Sequence, residues 1–288
     1  RDKEALSVFI SHSKRDKDNK GELMAKDVRK FLYEDTKLNS FFDVHDILDG
    51  YKFGKQIKAK ARDCCALLIL FTDTYSSREW CRIEALTAKE NHVPIVAVFM
   101  LDGKIDRVFP YIGNIPSTTF DGDWRKIINL LLRTTLDHLY EDAMLAGDCD
   151  TKTEFLPYPP EAYNLSLLKA ETTKLLYPEP PLGNEELYVL KNICKKMNRD
   201  VIFSTPMSHR TETIDLHKKN IAISISESAD LPASGIGNEM YKDLTIEVTR
   251  HILKSNGRLL YGGDLRNNGY TELFKELSNQ YGKHEKAE

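Results

Sequence analysis

The sequence predicts an α/β protein whose parallel sheets are covered by helices. Short apolar, β-branched runs alternate with longer segments in which apolar residues recur at helical spacing. This alternation occurs in residues 1–142 and again in residues 185–288, and a proline-rich segment lies between them. Parallel strands need a crossover connection, usually a helix, so the alternation is typical of a parallel sheet buried on both faces. We therefore predict two α/β domains joined by a connector at residues 143–184.

The composition is that of an ordinary globular protein. Of the 288 residues, 41% are hydrophobic and 30% are charged. The longest apolar runs fall well short of the roughly 20 residues that a membrane-spanning helix needs. The net charge of -3 gives no electrostatic reason to bind nucleic acid or a membrane surface. Five cysteines without a C-x-x-C pair fit neither a disulfide framework nor a zinc site, so we expect reduced thiols, a cytoplasmic location and no metal.

In the first domain, four short apolar runs predict strands, and the amphipathic segments after them predict helices. The strands are predicted at residues 6–10, 40–44, 66–71 and 94–101. The helices are predicted at residues 21–35, 57–65, 76–89 and 123–142. Glycines and prolines between residues 103 and 116 predict a turn-rich piece before the last helix.

The connector is rich in proline, in the segments FLPYPPE and YPEPPLGN. Proline fixes φ and removes a backbone donor, so we predict a semi-rigid segment with one short helix at residues 162–175. Its aromatic side chains are expected to pack on a neighbouring domain. A disordered linker is the alternative, but Leu, Tyr and Phe are frequent for such a segment.

In the second domain, strands are predicted at residues 200–204, 220–226 and 258–261, and helices at residues 185–197, 239–255 and 270–281. Two strand-to-helix loops, residues 227–238 and 262–264, carry glycines and hydroxyls. Free N–H groups and the helix dipole favour an anion at such positions, so nucleotide binding is one interpretation. Plain turn chemistry is the other, because neither loop has a G-x-G-x-x-G or Walker sequence. Three strands are few for a complete doubly wound domain.

The segment YSSREWCRIEALTAK puts a carboxylate on the apolar side of a helix. Ser76 and Glu79 have the spacing of a capping box, so the helix is predicted to begin at Ser76. At 100° per residue, Glu84 falls in one arc with Trp80, Cys81 and two alanines, whereas Lys89 lies opposite. A rim glutamate paired with a neighbouring Arg or Lys is one interpretation. A ligand site is the other, because the helix follows a buried strand and open α/β sheets bind ligands at the carboxyl ends of strands.

Four segments of the first domain, in order, carry a family resemblance: SVFISHS, FFDVHDILDGYKF, ALLILFTDTY and WCRIEA. They resemble the first strand, the second strand with its BB loop, the third strand and the W-x-x-x-E helix of a TIR domain. The likeness covers about residues 5–142 and implies a flavodoxin-like parallel sheet. Some TIR domains only scaffold signalling and others are enzymes, so the fold alone does not decide the chemistry.

In enzymatic TIR domains, the glutamate of that helix is required to cleave the nicotinamide–ribose bond of NAD, and by position it is Glu84 here. The bond can break with oxocarbenium character at the ribose carbon, and a carboxylate in a partly dry pocket stabilises that charge. Trp80 is expected to stack on a planar ring, with core packing as the alternative. The remaining expected NAD-binding residues are Ser11, His12, Ser13 and Lys14, for which a solvated loop is the alternative, and Asp43, Asp46 and Tyr51.

The second domain is similar to the SLOG family of Rossmann-like nucleotide-binding domains. The likeness rests on NIAISIS, the following ESADLP loop, RLLYGGDL and GYTELF. It implies a nucleotide site that is lined by Ser226, Glu227, Gly262, Gly263 and Asp264.

Together, the two resemblances imply a bacterial NAD glycohydrolase, a hydrolase that takes NAD as its substrate. It would yield ADP-ribose or a cyclic isomer in antiviral defence, with activity that depends on a homo-oligomer formed through the TIR domains and BB loop. One rival is a non-enzymatic TIR scaffold. A second is a hydrolase acting on a nucleotide fragment instead of NAD.

Overall fold

The chain divides into two compact units. The N-terminal unit comprises Arg1–Tyr177 with Leu190–Ile202, and the C-terminal unit comprises Pro178–Val189 with Phe203–Glu288. The computed structural model describes residues 6–14, 16–36, 39–42, 53–103, 105, 108–148, 151–211, 214–225, 230–233, 237–264, 266 and 269–281.

The N-terminal unit is built on a parallel five-stranded sheet of order β2-β1-β3-β4-β5. The strands are β1 (Ser7–His12), β2 (Asn39–Phe42), β3 (Ala66–Phe71), β4 (Ile95–Phe99) and β5 (Ser117–Thr119). This order confirms the predicted flavodoxin-like sheet, in which the chain reverses its direction of winding between β1 and β3. Ligands of such sheets bind at this switch point, beyond the carboxyl ends of the strands.

Four helices cover the sheet: α1 (Lys20–Asp35), α2 (Phe53–Asp63), α3 (Glu79–Glu90) and α4 (Trp124–Asp148). Side chains alternate between the two faces of a strand, so two separate apolar clusters form. In one, Cys81, Ala85 and Ala88 of α3 pack with Phe9 and Leu67. The other joins α1 and α4 to the alternate strand residues, among them Val8, Ile10, Leu68, Leu70, Val96 and Val98.

Several details of this unit differ from the prediction; α2, for example, begins four residues before the predicted start at Ile57. β5 was missed because its sequence, Ser-Thr-Thr, is polar and its side chains are largely exposed at the sheet edge. The capping box was wrong, since Tyr75–Ser77 form a 3₁₀ turn and α3 begins at Glu79, with Arg78 as an N-cap that makes no side-chain cap bond. α4 continues six residues beyond the predicted end at Asp142.

The connector folds onto the N-terminal unit as far as Tyr177. It contains β6 (Thr153–Phe155), α5 (Ala162–Leu167) and β7 (Lys174–Leu176), and β6 pairs in parallel with β7. The predicted helix at residues 162–175 therefore ends early and is followed by a strand. Tyr158 is fully buried in the α3 cluster, as expected for the connector aromatics.

Residues 158–163 of the connector form a strap across the end of α3. The ring of Tyr158 lies 4.7 Å from Nζ of Lys89, and its hydroxyl donates to the Lys89 carbonyl at 3.1 Å. The Lys89 ammonium pairs with the Glu161 carboxylate and donates to Oδ1 of Asn114 at 2.7 Å. Lys89, placed by periodicity on the side away from the apolar arc, is 0% exposed because the strap covers that side. Burial lowers the pKa of Lys89, and the Glu161 carboxylate opposes this shift.

The C-terminal unit contains a parallel strand pair, β9 (Asn220–Ile223) and β10 (Arg258–Tyr261). Its principal helices, α9 (Asn238–Lys254) and α10 (Tyr270–Gln280), pack on this pair through Ile252, Leu253, Leu259, Phe274 and Leu277. This unit also contains α7 (Pro206–Arg210) and α8 (Asp230–Ala233), whereas α6 (Asn184–Lys196) and β8 (Ile202–Ser204) are each divided between the two units. β8 was predicted as part of the second-domain sheet, but it belongs to the sheet of order β6-β7-β8.

We predict that Glu161→Gln destabilises the N-terminal unit by about 3 kcal/mol, because breaking a buried ion pair from one side costs about 3–5 kcal/mol. The low end is expected because 23% of the Glu161 side chain reaches solvent. The measurement is the free energy of unfolding in urea, followed by the fluorescence of Trp80 and Trp124, which both lie in this unit.

The loss of stability caused by Glu161→Gln should depend on pH. Burial holds the pKa of Lys89 in the folded chain below its ordinary value of 10.5. Between these two values the unfolded chain binds more protons than the folded chain, so stability rises with pH. Removing the Glu161 carboxylate lowers the pKa of Lys89 in the folded chain further, so the pH range in which stability rises becomes wider. The loss of stability in Glu161→Gln should therefore shrink as the pH approaches 10.5. Glu171→Gln, at an exposed position of the same segment, is the control, and an equal effect of both substitutions would contradict the prediction.

Candidate active site

Glu84 lies on the buried side of α3 and is 2% exposed. Its carboxylate accepts a hydrogen bond from the hydroxyl of Ser11, near the carboxyl end of β1. The rim position considered for this glutamate is therefore wrong. Burial of an ionised carboxylate is unfavourable unless it is hydrogen-bonded, so the contact with Ser11 helps to retain the charge of Glu84 inside the protein.

The hydroxyl of Ser11 also meets Tyr75, which is fully buried after β3. The two hydroxyl oxygens are 2.7 Å apart. A serine hydroxyl has one proton, and Ser11 gives it to Glu84, so Tyr75 donates to Ser11; the Cys81 carbonyl, 3.4 Å from the Tyr75 hydroxyl, is a second and more distant acceptor. Burial, together with the nearby Cys81 and Glu84, raises the pKa of Tyr75 well above its usual range, and the phenol therefore keeps the proton that it donates.

A second polar group joins the loops after β1 and β3. The hydroxyls of Ser13 and Thr74 are 2.7 Å apart, and Thr74 donates to the carboxylate of Asp16. Asp16 also accepts from the Thr72 hydroxyl at 2.7 Å and from the Gly21 amide at 3.1 Å. A Cβ at Gly21 would lie 2.4 Å from the Ser13 carbonyl oxygen, so this approach requires glycine. Asp16 was not predicted as a site residue, because its two threonine partners lie more than fifty residues away in the sequence.

In the C-terminal unit, Asp264 holds the loop between β10 and α10. Its carboxylate accepts from Nε of Arg266 at 3.0 Å, from the Arg266 amide at 3.1 Å and from the Tyr270 amide at 3.4 Å. Its own amide donates to the Thr271 hydroxyl at 2.6 Å. The bonds from Arg266 lower the pKa of Asp264 to about 2. The carboxylate is therefore ionised at neutral pH, with both oxygens bonded inside the loop.

The glycines before Asp264 leave room at this loop. Gly263 has a φ of +95°, a conformation that favours glycine, and a Cβ at Gly262 would meet none of the described residues within 4 Å. Ser226 and Glu227, predicted to line the same site, lie outside the described residues.

Two protein families match two separate parts of the sequence. Residues 8–131 match the family described as TIR domain, and residues 215–288 match the family described as SLOG cluster2. The chain carries a TIR domain followed by a SLOG domain. Both predicted resemblances are thereby confirmed. No curated protein matches the chain.

Within the TIR domain, the residues expected to bind NAD differ in secondary structure and in solvent exposure. β1 extends through His12, so Ser11 and His12 are strand residues, and they are buried together with Ser13. The solvated loop considered for this stretch is therefore wrong for these three residues, whereas Lys14 is half-buried. Trp80 is 43% exposed and does not pack in the core. Asp43, Asp46 and Tyr51 lie outside the described residues.

Metal ions and membranes would need other kinds of site in the residues that the structure describes. In this part of the chain, no group of three or more His, Cys, Asp or Glu side chains could hold a metal ion. Of the helices that the structure describes, none is both long and apolar enough to cross a membrane.

Proposed function

We propose that the TIR domain hydrolyses NAD at the nicotinamide–ribose bond, with Glu84 as the catalytic residue. The observation that supports this most directly is the burial of the Glu84 carboxylate on Ser11, next to the switch point between β1 and β3. A buried carboxylate next to the region where open α/β sheets bind ligands is suited to chemistry that develops positive charge.

In the proposed reaction, the bond between ribose and nicotinamide breaks, and its electron pair leaves with the neutral nicotinamide. The positive charge that remains on the ribose is stabilised by the Glu84 carboxylate, whose influence is strong where water is excluded. Water then adds to the anomeric carbon and loses a proton, which gives ADP-ribose. Attack by a group of the same molecule in place of water would give a cyclic isomer.

Two further residues suit the rest of the substrate. Trp80, one helical turn before Glu84 and 43% exposed, offers an aromatic face to a planar ring of NAD. Lys14, directly after the buried residues at the end of β1, offers positive charge to the pyrophosphate. We place this activity in the cytoplasm, in antiviral defence, where removal of NAD would halt an infected cell.

Glu84→Gln is expected to lower NAD cleavage at least about 10²–10³-fold, the scale on which a charge-stabilising group acts. The substitution keeps the shape of the side chain and removes its charge. Nicotinamide release is measured by chromatography, and thermal unfolding verifies that the fold is retained. Glu79→Gln, the same change at an exposed position of α3, is the control with wild-type turnover. Wild-type turnover in Glu84→Gln would exclude the catalytic role, and no turnover by the wild-type protein at any concentration would favour the scaffold.

We further propose that activity requires association of TIR domains. With Glu84 only 2% exposed, a substrate can reach the carboxylate after a rearrangement, and contact with a neighbouring subunit can drive such a change. The segment ILDGYKF offers Leu48, Tyr51 and Phe53 for the contact. Residues 43–52 lie outside the described part of the chain, so the contact itself is inferred from sequence.

If association is required, turnover per molecule should rise steeply with protein concentration in a dilution series. Tyr51→Ala should shift the rise to higher concentration. Tyr33→Ala, at a tyrosine that is 85% exposed on α1, should leave it unchanged. Constant turnover per molecule throughout the series would indicate a self-contained monomer.

For the SLOG domain, we propose that a nucleotide-like ligand binds across residues 226–238 and the loop at Gly262 and Gly263, and that its binding changes NAD turnover. An anion suits the N-terminus of the helix that follows each loop. Asp264 would shape the loop, because its oxygens are bonded to Arg266 and Tyr270. Coupling requires that the ligand favours one state of the protein over another.

Calorimetry with adenine nucleotides and ADP-ribose derivatives should give binding heat for the wild type and none for Gly262→Asp. Among the described residues, a Cβ at Gly262 would meet no atom within 4 Å, so the position can take a side chain that adds negative charge. Gly147→Asp, also at an open position but in α4, is the matched control and should bind normally. Equal heats for Gly262→Asp and the wild type would remove the site, whereas binding without a change in NAD turnover would remove the regulatory role.

A further inference from the structure

We propose that Ser11 and Tyr75 are positioning residues for Glu84. In this arrangement, Ser11 holds the catalytic carboxylate by its hydroxyl, Tyr75 holds Ser11, and neither side chain binds the NAD phosphates. The inference rests on the proposed NAD cleavage at Glu84 and assigns Ser11 a role different from the phosphate contact that its sequence position predicts.

All three side chains are carried by regular secondary structure. Ser11 lies in β1, an interior strand of the sheet, and is paired with Ile69 of β3. The ring of Tyr75 packs on Phe71 with 5.2 Å between centroids, and the Tyr75 amide donates to the Thr72 carbonyl at 3.0 Å. Glu84 lies in the middle of α3. A hydrogen-bonded chain between such elements fixes the direction of the carboxylate closely, as catalysis requires.

With Glu84 ionised, the protons of this chain run towards the carboxylate, because Ser11 is a closer acceptor for the Tyr75 proton, at 2.7 Å, than the Cys81 carbonyl at 3.4 Å. Tyr75 donates to Ser11, and Ser11 donates to the Glu84 carboxylate. A carboxylate that accepts hydrogen bonds is favoured in its ionised form, which is the form that stabilises a positive ribose. Successive donors polarise each other, so the bond from Tyr75 strengthens the donation by Ser11.

The same geometry argues against a phosphate contact at Ser11. Ser11 is fully buried, and its only side-chain proton is given to Glu84. A phosphate oxygen that took this proton would leave Glu84 with one donor fewer. It would also lie close to a carboxylate of the same charge, which is repulsive in a site of low dielectric constant.

Steady-state kinetics of NAD cleavage distinguish the two roles. Ser11→Ala should lower kcat about 10- to 100-fold, the range for loss of a hydrogen bond to a charged group, with little change in KM. Loss of a phosphate contact would instead raise KM with kcat retained. Tyr75→Phe keeps the ring and its packing, and it should lower kcat about 2- to 10-fold, as for a neutral hydrogen bond.

The double variant tests whether Tyr75 acts through Ser11. If it does, Tyr75→Phe should have little further effect on kcat in the Ser11→Ala background, whereas independent effects would multiply. Thr135→Val, which removes a buried hydroxyl that donates to the Leu131 carbonyl in α4, is the control and should retain both kinetic constants.

Each outcome decides the proposal. Wild-type kcat in Ser11→Ala, a raised KM alone, or multiplying effects in the double variant would overturn the positioning role. If Ser11→Ala does not fold, the effect of Tyr75→Phe on kcat at unchanged KM remains decisive, because wild-type kcat in that variant would also overturn the role. Failure of the proposed function is a separate result, since it would appear as full NAD cleavage by Glu84→Gln or as no cleavage by the wild-type protein.

Discussion

Desolvation of the Glu84 carboxylate is the constraint on which the centre of the TIR domain depends. A buried anion requires donors, and a donor must come from an element whose position is already fixed. Ser11, in the interior strand β1, meets this requirement, and the buried hydroxyl of Tyr75 donates to Ser11 in turn. The ends of β1 and β3 and the middle of α3 are thus joined by polar contacts where the rest of the interface is apolar.

Two sets of hydrogen bonds lie side by side at this edge of the sheet. The group of Asp16, Thr72, Thr74 and Ser13 ties the two loops to each other. The chain of Tyr75, Ser11 and Glu84 lies beside it and belongs to the proposed chemistry. Adjacent residues of the same loops belong to the two sets of hydrogen bonds. The contacts that join the loops therefore also fix the position of the proposed catalytic residues.

Much of the fold follows from local sequence. The strand Ala66–Phe71 was predicted to the residue, because six successive apolar residues can only be buried on both faces of a sheet. The position of Glu84 on the inner side of α3 follows from helical periodicity in the same way. The start of α3 was not predicted correctly. Ser76 and Glu79 have the spacing of a capping box, but α3 begins at Glu79, and its N-cap, Arg78, makes no side-chain cap bond.

Contacts between distant residues could not be predicted from sequence. Ser11 and Glu84 are 73 positions apart, and Lys89 and Glu161 are 72 positions apart. A helical projection assigned Lys89 to the outer side of α3 correctly, but it contains no information about a later segment that covers that side. Such pairs become visible only when the path of the whole chain is known.

The strap has a consequence for where the TIR domain can be cut. The family match ends at residue 131, yet Tyr158 fills the apolar cluster beneath α3 and Glu161 neutralises a lysine with no access to water. A fragment that stops at the end of α4 would keep that lysine and Asn114 but lose Tyr158 and Glu161. The compact unit that holds these contacts runs to Tyr177 and includes Leu190–Ile202, so it extends well beyond the family match.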